Sequence, residues 1–406
     1  MPVAKSLPDN LEFVRKRALK TLEAVQPAGP PRSDGEGRAL MLASRTNAGR
    51  SLPEYYLVYF LLVDLLGYQS LGEWEKVAWV VPVRYEGRLY SIEHRKLGVG
   101  VFAPTHDPNA QMSATPSAEA EADAEEIVLA IKKAISVAKP YFEWRASEAA
   151  STSHVNVVNS SSELFDRYVY FRDRFQSLHD EAERRKDEHN VKKSTLADGT
   201  VVASSSSPAF ALNHEATWNA QAAIDAFFTW TEHVFIHIAI LQGHLRTGDE
   251  VAALAKAEWK EKFKAAIDVS QGEMKQHYDR LVSLRLQIRN FMAHGAFGKN
   301  GEAFRFHSGA GAVPVLLSRK PHHRYALTGA PAFDEAAAIS EIEAFVEHLW
   351  SGVYSPAKTY VFSHLPSILS HAADGTYKHA MQSDQEMAEF VEYLEYHVDR
   401  SANMDW

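Results

Sequence analysis

The sequence predicts a mainly α protein that opens with a small α/β module. Three observations carry this. Apolar residues recur every three or four positions through most of the 406 residues, the pattern of helices with one buried face. Runs of β-branched and aromatic residues suited to strands are confined to 77–103 and to a short pair around 303–318. Gly, Pro and capping residues punctuate the helical stretches and mark their ends.

Taken in order, residues 10–25 form a helix that runs into a Pro/Gly-rich stretch, 26–37. Ser51-Leu-Pro-Glu54 has the form of a capping box with Pro in the first turn. Its helix continues through Tyr55, Tyr59, Leu62 and Leu66 and stops at Gly67. Residues 77–85, 88–95 and 97–103 are expected as two or three antiparallel strands, the first two joined by a Glu-Gly turn. Residues 1–105 therefore form the α/β module. From Pro104 to Asp123 the composition turns to Ala, Ser, Pro and acidic residues, an exposed linker. Helices follow at 124–149 and 162–190; the second is charged but keeps a stripe at Leu164, Tyr168, Phe171, Phe175 and Leu178. With a loop at 192–208, residues 106–208 are a linker plus a charged helical arm.

A helical bundle occupies 209–355. Its first helix, 214–245, carries Trp218, Ile224, Phe227 and Phe235; its second, 249–269, carries Leu254, Trp259 and Phe263. The third has apolar positions at Met274, Tyr278, Leu281, Leu284, Ile288 and Phe291. Two strand-like runs, 303–307 and 313–318, insert a β-hairpin, and a helix at 333–350 restores the bundle. A tail, 356–406, ends in an amphipathic helix at 384–400.

Composition narrows the function. A net charge of −9 argues against a broad surface that coats nucleic acid, while leaving room for a local basic cleft. There is no Cys, so disulfides, thiolate nucleophiles and Cys-based zinc sites are out. The first 23 residues lack the apolar core of a signal peptide, and the longest apolar run, 55–63, is too short to span a bilayer. A cytoplasmic protein with no membrane partner is expected. No Gly-rich phosphate loop appears.

The third bundle helix is the most informative segment. It closes with Arg289, Asn290 and His294, and Gly295 follows. His294 at a helix C-terminus sits beside carbonyls that favour the imidazolium, so its charge change falls near neutral pH. Arg289 is always charged and forks onto phosphate oxygens. Asn290 is one turn before His294 and within reach of it. RNA brings its own nucleophile, the 2′-hydroxyl, so a proton acceptor and a cation suffice to cleave it without metal. Arg285, one turn before Arg289, is a further phosphate-binding candidate. On an ideal helix Arg289 and His294 are about 140° apart, so the two meet either through a distorted last turn or across a two-fold axis.

These residues resemble the HEPN family, whose hallmark is Arg, often with Asn next, then four to six positions and His at a helix end in a compact helical bundle. Arg289-Asn-Phe-Met-Ala-His294 fits with four intervening residues, and the resemblance covers about 209–355. It implies an HEPN-like bundle, here with the hairpin inserted, and metal-independent RNA cleavage. It also implies a homodimer with an active site formed across it, no cofactor, and catalytic roles for Arg289, Asn290 and His294. Members include toxins, abortive-infection effectors and CRISPR-associated nucleases, so an antitoxin or a trigger molecule is an expected partner beside RNA. The first bundle helix often contributes a polar group in this family; here Glu232 or His233 would do so.

Other patterns in the chain compete with this one. Arg174 to His179 and Arg184 to His189 repeat the bare spacing on a charged helix and read as solvated surface. His233 and His237 have helical metal-ligand spacing, but Glu232 precedes the pair rather than separating it, so the zinc-protease arrangement is absent. Lys320-Pro-His-His-Arg324 reads as an exposed loop. Glu93 and Lys96 are faintly like a metal-dependent nuclease core, without the further acid such a site needs. A rival from another class takes the bundle as a non-catalytic dimerising scaffold or ligand-sensing module, its motif residues serving packing and capping.

Overall fold

The computed structural model describes residues 8–72, 77–106, 116–197, 199–293, 302–317, 325–327 and 334–402. Helix makes up 61% and strand 15%, so the chain is mainly α, as the periodicity predicts. It divides into two compact units, Met1–Ala149 with Asp399–Trp406, and Ala150–Val398.

The first unit opens with α1 (Asp9–Thr21), β1 (Val25–Pro27), α2 (Asp34–Met41) and β2 (Ser44–Arg45). Then come α3 (Tyr55–Tyr59), continued as a π-turn over Phe60–Leu65, β3 (Val77–Tyr85), β4 (Arg88–Arg95) and β5 (Gly98–Ala103). The helices α4 (Ala118–Val137) and α5 (Lys139–Ala150) complete it. The sheet is antiparallel, in the order β1-β3-β4-β5-β2. It has five strands where two or three were expected; β1 and β2 are too short to leave a periodic signal. Val81, Val83, Ile92 and Val101 pack with Leu11 and Ala18 of α1, Leu61, and Ile127 and Ile131 of α4. Glu93 is buried on β4, where Arg95 (2.6 Å) and Ser91 (2.5 Å) hold its carboxylate.

Residues 124–149, expected as one helix, form two. Pro140 has no N–H to extend the ladder of α4, so the chain restarts as α5. Ser117 caps α4 by accepting from Ala120 N–H at 3.1 Å. The stretch 106–208 is also not one linker and arm. Ile127, Val128 and Ile131 are core residues of the first unit, whereas Tyr168, Phe175 and Leu178 are core residues of the second.

In the second unit, β6 (Asn156–Val157) precedes α6 (Ser161–Arg184), a ribbon of β7 (Asn190–Thr195) and β8 (Val201–Ser206), and α7 (Pro208–Leu241). The ribbon replaces the loop expected at 192–208; every residue in it is exposed, so no buried face imposed alternation. Pro208, at the first turn, starts α7 six residues earlier than expected. Residues 223–241 of α7 are apolar almost all round because the helix is central to the core. Among the described residues α7 alone is long and apolar enough to cross a bilayer, and 78% of that window is buried within the protein.

Then follow α8 (Gly248–Lys256), α9 (Trp259–Ala266) and α10 (Gly272–Ala293). A Thr247–Glu250 capping box starts α8. Glu258 is extended, which splits the single helix expected at 249–269 into α8 and α9. The expected hairpin is present as β9 (Glu302–Ser308) and β10 (Gly311–Leu317), with an unexpected third strand, β11 (Tyr325–Ala326). The chain continues through α11 (Glu335–Leu349), α12 (Ser355–Val361), β12 (Ser367–Ile368), α13 (Leu369–Asp374), α14 (Thr376–Ala380) and α15 (Asp384–Ala402). Tyr360, Leu369, Tyr377 and Met387 of the tail are buried in the same core as Phe227, Trp230 and Phe345. One core thus spans α6, the expected bundle and the tail.

Candidate functional site

The long central helix α7 supplies the polar groups of the site. Most of its middle is buried, but Glu232 and His233 sit where its surface opens. Glu232 accepts from Lys262 Nζ of α9 at 2.8 Å and from Arg285 Nη2 of α10 at 2.5 Å. Burial opposes ionisation of Glu232, but the hydrogen bonds from Lys262 and Arg285, with their charges, outweigh it and hold the carboxyl below its ordinary value. Lys262 is 5% exposed, and the Glu232 carboxylate compensates its burial. The guanidinium of Arg285 lies over the rings of Phe228 (5.4 Å) and Trp259 (5.5 Å). Its Nη1 is buried, with no hydrogen-bond partner among the described residues. Trp259 is fixed in turn by donating Nε1–H to Thr231 Oγ1 at 2.9 Å.

Clefts open on both sides of the Glu232–Arg285 pair. One is lined by Lys256, Trp259, Lys260 and Leu286; the other by Asp225, Thr229, His233 and Ile236. Both share Glu232 and Arg285.

Behind the second cleft runs a chain of imidazoles. Ser160 N–H donates to His233 Nε2 at 2.9 Å. His233 Nε2 and His237 Nε2 are 3.0 Å apart, and His237 Nδ1 is 2.7 Å from Ser367 Oγ. His237 is fully buried. Burial foremost, and then the neighbouring His233, lower its pKa to about 3, against a contact with the Val158 carbonyl that raises it. Burial also lowers the pKa of His233. The two nitrogens that metal-ligand spacing would have offered to an ion are thus turned towards each other. Among the described residues no group of three His, Cys, Asp or Glu is arranged to hold a metal.

Of the sequence-predicted site residues, Glu232, His233 and Arg285 come together here. Arg289 and Asn290 belong to the last turns of α10, one turn beyond Arg285, and are described as backbone only. His294 lies outside the described residues, as do Gly295 and 320–324. The two other Arg-to-His spacings fall on or just beyond α6, where Arg174, His179, Arg184 and His189 are all exposed. Sequence reasoning missed Lys262 and the His237–Ser367 link. Lys262 had a signal, since it falls on the apolar stripe of Trp259, Phe263 and Ala266. Ser367 had none, being 130 residues from His237.

Comparison of the chain with protein-family models, curated proteins and solved structures gives no match.

Proposed function

We propose that the second unit is a metal-independent endoribonuclease of HEPN type, acting as a toxin or defence effector. His294 exchanges a proton with the reacting oxygens, first taking it from the 2′-hydroxyl. Arg289 stabilises charge on the phosphorane, and Asn290 orients His294 or the phosphate. The products are a 2′,3′-cyclic phosphate and a 5′-hydroxyl. The protein works in the cytoplasm as a homodimer, restrained by an antitoxin or activated by a trigger that the first unit senses.

One observation supports this reading above the others. Arg285 is tied to Glu232 between two clefts, one turn before Arg289 on the same helix. The Arg–His segment therefore follows directly from a cleft that already holds a cation and accessible polar groups. A rival is favoured by the same pair: Arg285 already has a carboxylate partner, as expected of a scaffold or ligand-sensing module with no catalysis. The two separate on expression. Growth arrest by the wild type, with cellular RNA ends carrying 2′,3′-cyclic phosphate and no arrest from His294→Ala, supports the nuclease. Equal growth of both, with no new RNA ends, supports the scaffold.

A further inference from the structure

The contacts around His233 favour one arrangement of protons. The Ser160 backbone N–H can only donate, so His233 Nε2 must be unprotonated. The contact between the two Nε2 atoms needs one proton, which His237 Nε2 must then carry. His237 Nδ1 is consequently an acceptor, and Ser367 Oγ–H donates to it. The neutral His233 ring carries its own proton on Nδ1. Among the described residues no protein group bonds that nitrogen, and His233 lines the cleft shared with Arg285.

We propose that His233 is a fixed neutral donor of this cleft, presenting Nδ1–H to an acceptor oxygen of bound single-stranded RNA, with Ser160, His237 and Ser367 as its positioning groups. The identity of the ligand rests on the ribonuclease reading; the proton arrangement does not. A proton added to His233 Nε2 would face two donors, so the imidazolium is disfavoured by geometry as well as by burial. The surrounding charges leave that assignment in place. On α7, Glu232 is already saturated by Lys262 and Arg285, and Asp225 is on the cleft wall. The segment before α6 offers the Ser160 N–H and the Val158 carbonyl, the latter to His237, and β12 offers the neutral Ser367. A subsite built this way takes acceptors, such as phosphate oxygens or base carbonyls. It cannot serve as the general base, which leaves that role to another group.

Two measurements on the full chain test this. The first is long-range 1H–15N NMR of histidine-labelled protein, with signals assigned by their loss in His233→Asn and His237→Gln. The expected result is Nδ1–H on His233, Nε2–H on His237, and a His237 ring that does not titrate between pH 5.5 and 8. Nε2–H on His233, or a His237 titration midpoint in that range, would overturn the proposal, and the wild-type spectrum needs no variant to fold. The second is fluorescence anisotropy with a single-stranded RNA oligonucleotide in EDTA, on a His294→Ala background. Asn places its amide N–H near the position of Nδ1, whereas Gln places it near Nε2. His233→Asn should bind within about threefold of the parent, and His233→Gln about tenfold more weakly, one hydrogen bond's worth. Equal binding by the two variants, with RNA still bound by the His294→Ala parent and cleaved by the wild type, removes His233 as a donor and leaves the ribonuclease reading intact. No RNA binding by the parent removes the ligand and that reading together, while the spectrum still decides the protons.

Discussion

Glu232 and Arg285 meet at 2.5 Å and join the last third of α7 to the middle third of α10. Lys262 reaches the other carboxylate oxygen from α9. One carboxylate therefore gathers two cations from two helices, at the point where the two clefts meet. The two cations outnumber the carboxylate they share, so the junction itself carries excess positive charge.

Removing the shared carboxylate should be worse than removing either cation. Glu232→Ala leaves Lys262 buried without an anion, and breaking such a pair costs about 3–5 kcal/mol, at the lower end here because Glu232 is partly exposed. Lys262→Met keeps the packing and leaves Glu232 with Arg285, so it should cost less than about 1.5 kcal/mol. Urea unfolding midpoints compare them, and equal losses would mean that the carboxylate does not organise the junction.

Stability should fall on the acid side through the imidazole pair. Burial lowers the His237 pKa to about 3, whereas the unfolded residue titrates near about 6.5. As pH drops through about 6.5 the unfolded chain takes up that proton and the folded chain does not, so stability is complete above this range and declines below it until the folded ring protonates. At pH 5 the loss from His237 alone is about 2 kcal/mol, from roughly 1.5 pH units at about 1.4 kcal/mol each. His233, also lowered, acts in the same direction. Unfolding midpoints at pH 7.5 and pH 5 should diverge less in His237→Gln than in the wild type; an unchanged gap would assign the acid sensitivity to carboxylates.

Much of this was legible in the sequence, and the physical reasons for the rest differ. The 3.6-residue stripe from Met274 to Ile288 gave α10 its place, and Val77–Tyr85 with Arg88–Arg95 matched β3 and β4 to the residue. Pro140 should have divided 124–149, because its missing N–H is a local fact. The ribbon of β7 and β8 was hidden because Lys192, Lys193 and the serines at 204–206 are all exposed and alternate with nothing buried. For the site, Arg285 could be named from helix spacing, and Glu232 or His233 only from the family resemblance. Their mutual contacts, and Ser367 beneath His237, depend on tertiary packing that no local spacing encodes.

Arg289→Lys should damage turnover nearly as much as Arg289→Ala. Lys keeps the charge but loses the planar fork on two phosphate oxygens, a loss of ~3 kcal/mol or about a hundredfold in rate. Single-turnover cleavage rates paired with thermal melts read this out. Near-wild-type cleavage by the Lys variant would reduce Arg289 to general attraction, and unfolding of both variants would make it structural.

A cleft shared across a dimer predicts complementation. Chains carrying Arg289→Ala and His294→Ala should each be inactive alone. After unfolding and refolding together, half the dimers are mixed and each has one intact Arg–His pairing, so about a quarter of wild-type activity should return. Continued inactivity of a mixture shown to contain mixed dimers would place both residues of each cleft on one chain.

The central claim is that side chains alone cleave RNA through its 2′-hydroxyl. The most direct measurement is single-turnover cleavage in EDTA of one oligonucleotide as RNA and as its 2′-deoxy counterpart, by wild type and by folded His294→Ala. The account predicts that wild type cuts only the RNA and leaves a 2′,3′-cyclic phosphate, and that the variant is slower by at least about a hundredfold. Equal cutting of the 2′-deoxy strand, or undiminished cleavage by the variant, would contradict it.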